Sequence, residues 1–560
     1  MKRPAAFLLA ILVAFAAGCS HHAKKASPKR TGLANGGTLV TLANTAPPGS
    51  PDPQINYSRQ AWQLLILTHD GLVGFKRTSG NDGKELVPDL ATAIPKPMNR
   101  GRTYVFKLRK GIKFSNGKDL KPSDVSFTFE RLFKLRRSPN ARAWYQMIVG
   151  GALCVARPRT CSLAGGVVAD DSAGTVTFNL TRRDPEFLYK LAVPFAFVLP
   201  GNTPTEEAMI PPSGTGPYEF NAYDPGRQIK LTRNVHFKEW SKDAQPAGNP
   251  DTIVQRFGLT VDGEVTHVEA DEADWVFDHV PADRLEAFRA TRFANQVHVN
   301  SLPATSFFAF NVMAAPFNNV LARRAVNFAT DRNALVQIYG GPTVADPTCQ
   351  VLAPDLPGYE PYCPYTKRPG GGEWHAADLV KARRLVAASG TRGAAVKVAT
   401  GTTDTEQELG LYFVRLLNRL GYRARLRVFP ADLRRAQCKS ARNTIQLCAS
   451  SWVADYPAGS DFFTVPLGCG TVAPRSKTSP NVAEFCDRRI QARTDAALAL
   501  EAMDPDRAAR AWAAIDRAVT DQAPWATMFN PKQVDFVSSR VTGYAFSPQW
   551  GFLLGQASVQ

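Results

Sequence analysis

The sequence has no apolar run long enough to cross a bilayer core, which takes about 20 residues. Its N-terminal run from Ala5 to Ala17 falls short of that, so a transmembrane anchor is the weaker reading there. Metal-binding signatures are missing too. There is no Cys-x-x-Cys pair, and His69, His236, His267, His279, His298 and His375 show no close ligand spacing, so neither a metal nor another cofactor is expected. The strings that mark common enzyme classes, G-x-S-x-G, H-E-x-x-H, the P-loop and the dinucleotide fingerprint, do not occur. Ser115-Asn116-Gly117-Lys118 matches the S-x-x-K of penicillin-binding enzymes. That nucleophile needs a helix start and companion S-D-N and K-T-G strings; here Gly117 suits a turn and both companions are absent, so no enzyme is expected. Outside the first 36 residues there is no block of like charge, and the formal net charge of +18 reads as a solvated basic surface rather than a nucleic-acid site.

What is present begins with an export signal. Lys2 and Arg3 precede the apolar run, and Ala16-Ala17-Gly18-Cys19 has the small residues of a lipidation site, although Ala16 stands where such motifs more often carry Leu. The mature chain is expected to start at a lipidated Cys19, anchored to the outer face of the cytoplasmic membrane. Residues 19–36, polar and basic, read as a disordered tether.

Beyond Cys19 eight cysteines remain, an even number that falls into four locally close pairs. In an exported chain this suggests disulfides joining Cys154 to Cys161, Cys349 to Cys363, Cys438 to Cys448, and Cys469 to Cys486. The length exceeds what one hydrophobic core usually organises, so two or three domains are expected.

The first half mixes strands and helices without a regular succession. Gly37 to Ala43 reads as a strand, 46–56 as a loop, and Tyr104, Phe106 and Leu108 alternate with Lys107 and Arg109 on a further strand. Pro122 opens a helix to about Lys134. The acidic run Glu264, Glu269, Asp271, Glu272, Asp274 and Asp278 reads as a solvated face. Past about residue 300 the periods change. Asn319 to Tyr339 is expected as a helix in two pieces with Asp331 as a cap, then Leu379, Ala382 and Val386 mark a helix stopped by Gly390. A strand over 395–400, a helix ending at Gly421, a strand over 422–428, a helix over 431–440 and a strand over 445–452 give βαβαβ and hence a parallel sheet.

Ligands of such sheets bind beyond the carboxyl ends of the strands. There the chain reads Trp452-Val453-Ala454-Asp455-Tyr456-Pro457. An acid flanked by aromatic rings can pair with an ammonium group while the rings cover the ligand's apolar parts. The same string also fits a core Trp452 with Asp455 closing a turn, and the pattern does not choose between them.

Several segments together carry a resemblance. They are Asp70-Gly71-Leu72-Val73 with Val87-Pro88-Asp89-Leu90-Ala91; Tyr104 to Phe114 with Gly117, Asp124 and Val125 to Phe129; Gly214-Thr215-Gly216-Pro217-Tyr218 with Arg233-Asn234; and Arg323-Arg324-Ala325 to Ala329 with Asp331-Arg332. In this order and spacing the chain resembles the extracellular solute-binding proteins of ABC importers, family 5, which includes dipeptide- and oligopeptide-binding proteins. The resemblance implies an α/β fold of the periplasmic-binding-protein type (class II), two-lobed, closing at a hinge, with an extra subdomain in the first lobe. The first lobe would comprise 37–80, 215–298 and 524–560, with the insert at 81–214; the second would span 299–523. The hinge would cross near Val297 to Ser301 and near Pro524 to Asn530. A short peptide is the implied ligand and ABC permease subunits the implied partners of a lipid-anchored monomer that binds no nucleic acid. Asp455 would receive the peptide's α-amino group, with Trp452 and Tyr456 beside it and the loop Thr45 to Tyr57 lining the cleft. Some relatives carry an arginine six residues before that aspartate where this chain has Ala449, so the carboxylate anchor is open; Arg442 lies near in sequence. Relatives that bind nickel chelates, haem, oligosaccharides, opines or glutathione keep a non-peptide solute as the alternative, and a receptor that signals without transport is a third class.

Overall fold

The computed structural model of the protein describes residues 36–560 except 137, 440–443, 473–478 and 502. The export signal, Cys19, the tether up to residue 35 and Arg442 therefore lie outside the described residues. The first sheet is organised around the strand Thr38–Ala43, whose last five residues are all buried. It runs parallel to Thr252–Phe257 on one side and to Trp275–Val276 on the other. Burial on both faces is what a parallel strand requires, and TLVTLA is apolar or small enough to supply it. Gln228–Arg233 and Tyr218–Asp224 extend this sheet as an antiparallel hairpin. A separate three-stranded sheet of Thr103–Lys107, Thr175–Asn179 and Val167–Asp170 packs with the helix Pro122–Lys134 in the expected insert.

The second sheet has seven strands and is mixed rather than wholly parallel. Ala395–Thr400 pairs in parallel with Arg423–Val428 and Leu447–Val453, as the βαβαβ succession requires, but Ala304–Phe310 joins Leu447–Val453 antiparallel. Its organising element is the long strand Trp525–Phe536. Trp525 to Phe529 pair with Ala304–Phe310, while Lys532 to Phe536 pair with Val297–Ser301. Beyond it Val537 bridges to Trp275 in the first sheet. Of the two stretches expected to cross the hinge, Val297–Ser301 pairs with 532–536, while 525–529 pairs instead with Ala304–Phe310. Where its pairing partner changes, Asn530 is buried and donates to Ala304 O at 2.9 Å and Thr305 Oγ1 at 3.1 Å, satisfying groups that the break in the ladder frees.

The recognised motifs have structural reasons. Gly214 and Gly216 lie against the carbonyls of Thr68 and Leu67, and a Cβ at either would sit 2.1 Å or 2.5 Å from those oxygens. Thr215 Oγ1 donates to buried Asp70 at 2.5 Å and Asn234 Nδ2 donates to Gly216 O at 2.9 Å, so this turn fastens the first helix to the sheet. Arg323 donates to the carbonyls of Phe317, Gln522 and Ala523, and buried Arg332 to those of Thr348, Asn327 and Tyr365. Arginine's fixed fork of donors lets one side chain tie several loop carbonyls together.

The acidic run is not the solvated face its composition suggests. Glu264 and Asp274 are fully buried; Asp274 accepts from Val40 N at 2.8 Å and Ser538 Oγ at 2.9 Å, and burial pushes Glu264 up to about 8. Asp274 thereby fastens the first sheet to the returning C-terminal segment, whereas both carboxyl oxygens of Glu264 are buried without a hydrogen-bond partner. Ser115 to Lys118 form a tight turn, with Gly117 at φ +82°, and not a helix start.

Disulfides join Cys154 to Cys161, Cys349 to Cys363, Cys438 to Cys448, and Cys469 to Cys486. Closing a loop of this size in the unfolded chain is worth about 3 kcal/mol. Replacing Cys438 and Cys448 together by Ser is expected to lower the urea-unfolding free energy by about that amount; an unchanged midpoint would contradict it.

Candidate functional site

Asp455 follows the strand Leu447–Val453, which ends where Ala454 N donates to Pro303 O at 2.9 Å. The turn after it is closed by Asp461, whose Oδ2 accepts from Asp455 N at 3.2 Å and from Trp452 Nε1 at 2.8 Å. The turn-closing role that Asp455 was a candidate for therefore belongs to Asp461. Trp452 is a core residue and also borders a cavity, so its two readings are compatible.

Asp455 is 8% exposed. Its Oδ2 accepts from Tyr57 Oη at 2.5 Å, a contact between residues 398 positions apart. Tyr57 is held by the loop before it. Asn56 Nδ2 donates to Pro48 O and Ser50 O, and fully buried Arg131 on the helix Pro122–Lys134 grips Asp52 through both amino nitrogens, with 2.5 Å to Oδ2. Gln549, from the C-terminal segment, donates to the Asp455 carbonyl at 2.6 Å. Tyr456 is buried, donates to Glu186 Oε2 at 3.1 Å, stacks on Tyr189 at 5.9 Å and meets the edge of Trp144 at 5.8 Å. Asp455 and Tyr456 thus meet residues of the first half of the chain, and Asp455 also meets Gln549 of its last segment.

Two cavities flank this contact, and Tyr57 lines both. One, of about 630 Å³, is walled by Trp144, Tyr456, Arg182, Arg183, Glu186 and Lys190, among others. The other, of about 250 Å³, is bordered by Asp455, Trp452, Trp62, Trp550, Arg59 and Arg435. Aromatic walls with a few convergent charges are the usual make-up of a small-solute site.

Electrostatically, the site's cations leave Asp455 without an ion pair among the described residues. Burial pushes Asp455 up to about 7, against the opposing hydrogen bonds of Tyr57 and Asp461 and the field of Arg435. Burial also raises Asp461 and Glu186 well above the carboxylate range, and takes Glu501 up to about 7. The charge of Asp455 adds to burial in raising Asp461, whose buried Oδ1 has no hydrogen-bond partner. Lys190 answers Asp184 at 2.7 Å and Glu186 at 3.8 Å, but no described Lys or Arg closes an ion pair with Asp455. A ligand ammonium would supply what is missing.

Ala449 packs against the core from inside the sheet. The sequence reading missed Asp461, Glu186, Arg435 and the C-terminal Gln549 and Trp550. Asp461 sits six residues from Asp455 in the same segment and carried a local signal; the others reach the site from distant parts of the chain.

A model of the bacterial extracellular solute-binding proteins, family 5 (middle region), matches residues 85–473. The chain belongs to that family. It is similar to the dipeptide-binding protein of Escherichia coli (strain K12), 27% identical over 339 residues, a match covering 58% of this chain and 59% of that protein. It is also similar to the glutathione-binding protein GsiB of the same strain, 24% identical over 477 residues, covering 82% and 84%. Among solved structures, clavulanic acid biosynthesis oligopeptide binding protein 2 superposes with a TM-score of 0.80 at 23% identity, covering 94% of this chain and 96% of that one. The DppA periplasmic binding protein from Helicobacter pylori, in complex with the peptide STSA, gives 0.74 at 20% identity, covering 94% and 98%. The fold is the two-lobed α/β solute-binding fold, and no helix among the described residues is long and apolar enough to cross a membrane.

The raised acids make a stability prediction with a definite sign. A carboxyl whose folded-state value exceeds its unfolded one contributes stability that is fully present below the unfolded value and is lost as pH rises through the folded value. For Asp455 and Glu501 that loss is complete only above about 7. His69, buried and lowered to about 4, acts oppositely: its contribution is present above its ordinary 6.5 and falls away as pH drops toward 4. The thermal midpoint of the ligand-free protein is therefore expected to fall between about pH 5 and 8, with a shallower slope in Asp455→Asn. Equal slopes in differential scanning fluorimetry would contradict this.

Proposed function

We propose that this solute-binding protein captures short peptides outside the cytoplasm and delivers them to the permease of an ABC importer, tethered to the membrane by a lipid on Cys19. It binds without chemistry. The observation that carries the reading is the buried Asp455, set between two aromatic-walled cavities and hydrogen-bonded by Tyr57 while no described cation pairs with it. A desolvated carboxylate of this kind is strongly favoured by a bound ammonium, and a peptide's α-amino group is one.

In this reading the first lobe is 37–80, 215–298 and 524–560 with the insert at 81–214, and the second is 299–523. Bending occurs in the ribbon of Val297–Ser301 and Trp525–Phe536. The Tyr57–Asp455 and Tyr456–Glu186 bonds are then contacts between lobes, made on closure and replaced in part by ligand. The peptide ligands named for several relatives support it, and glutathione, also named, is itself a tripeptide with an α-ammonium group.

The test is calorimetric titration of di- to tetrapeptides into the native protein and Asp455→Ala. Removing a buried charge partner costs about 3–5 kcal/mol, so the variant is expected to bind about two to four orders of magnitude more weakly. Undiminished binding would rule out the amine anchor.

A further inference from the structure

Arg435 is the cation of the smaller cavity left without an assigned task. It lies on the helix Ala431–Cys438, and the Cys438–Cys448 disulfide pins that helix to the strand leading to Asp455. Its basic neighbours are engaged. Arg434 pairs with Glu406 at 2.5 Å, Lys439 with Glu484 at 3.3 Å, and across the cavity Arg59 donates to Gln533 Oε1 at 3.2 Å while the Asp535 charge answers it. Among the described residues, the Arg435 guanidinium donates to no hydrogen bond and closes no ion pair; the residue is solvent-exposed where it borders the cavity, and Tyr57 and Asp455 act on it only through their fields. A planar fork of donors facing a cavity that already contains an unpaired carboxylate is arranged for a ligand that presents an ammonium to one wall and a carboxylate to the other.

Resting on the peptide reading above, we propose that Arg435 anchors the ligand's carboxylate, and that the preferred solutes are short zwitterions whose ammonium and carboxylate lie no farther apart than in a dipeptide. Asp455 and Arg435 border one cavity of about 250 Å³. An extended dipeptide spans about 7 Å, whereas a tetrapeptide spans about twice that and would carry its carboxylate out of this space. The adjoining cavity of about 630 Å³, reached past Tyr57, then receives the side chains against Trp144 and Tyr456. Arg182 and Arg183 in that cavity are the rival anchors, and a ligand using them would be longer. Their neighbours already include the carboxylates Asp184, Glu186 and Asp495, whereas Arg435 shares its cavity with Asp455 as the sole acid lining it.

The experiment is calorimetric titration of alanyl-phenylalanine, its C-terminal amide, its N-acetyl form and tetra-alanine into the native protein, Arg435→Gln and Arg435→Lys. The native protein is expected to prefer the free acid over the amide by about ten- to a hundredfold, the range of a charge-assisted hydrogen bond. That preference disappears in Arg435→Gln and is reduced in Arg435→Lys, while N-acetylation remains costly in all three. The acid-over-amide comparison in the native protein needs no variant, so misfolding cannot mask it. A preference that persists in Arg435→Gln, or tetra-alanine bound as tightly as the dipeptide, overturns the carboxylate anchor and leaves the amine reading standing. Failure of the native protein to bind any of the four probes overturns both.

Discussion

The structure turns on one carboxylate taken out of water. Asp455 is buried by Tyr57 and the C-terminal segment, yet its neighbours are another carboxyl and a phenol rather than a cation in contact. Such a group either holds a proton or waits for a positive partner. Burial, which pushes Asp455 up to about 7, favours the first state, and a ligand ammonium would favour the second. The aromatic walls belong to the same constraint, because excluding water strengthens whatever charge pair forms between them.

Much of the rest of the chain serves to bring Tyr57 and Asp455 together reproducibly. Arg131 and Asp52 fix the loop that carries Tyr57, and Asp461 with Trp452 fixes the turn that carries Asp455. Between them runs the strand Trp525–Phe536 of the second sheet, which exchanges partners near Asn530 and leads to the Val537 bridge with the first sheet. Arg323 braces the region just before that strand through the carbonyls of Gln522 and Ala523, and Arg332 ties together those of Thr348, Asn327 and Tyr365. The family motifs are thus largely fasteners, and the residues proposed to contact solute lie outside most of them.

Local features were legible in the sequence where local physics decides them. The cap Asp331, the stop Gly390, the proline start of Pro122–Lys134 and the alternation around Tyr104 and Phe106 all give the elements that form. The four disulfides join sequence neighbours, which is why spacing alone indicated them. Composition misled where burial depends on distant strands: Glu264 and Asp274 read as surface and are fully buried. The antiparallel partners of the second sheet also came from far along the chain, so a local βαβαβ pattern could indicate only its parallel part. At the site, the W-x-x-D-Y segment was visible, but the Tyr57 contact, Glu186, Gln549 and Arg435 depend on tertiary closure and have no local signature.

The central claim is that Asp455 exchanges a proton for a ligand cation. Its most direct test is the number of protons released when the native protein binds a dipeptide near pH 7, obtained from calorimetry in buffers of different ionisation enthalpy. The account predicts net proton release in the native protein and its loss in Asp455→Asn. Binding with the same proton balance in both would contradict it.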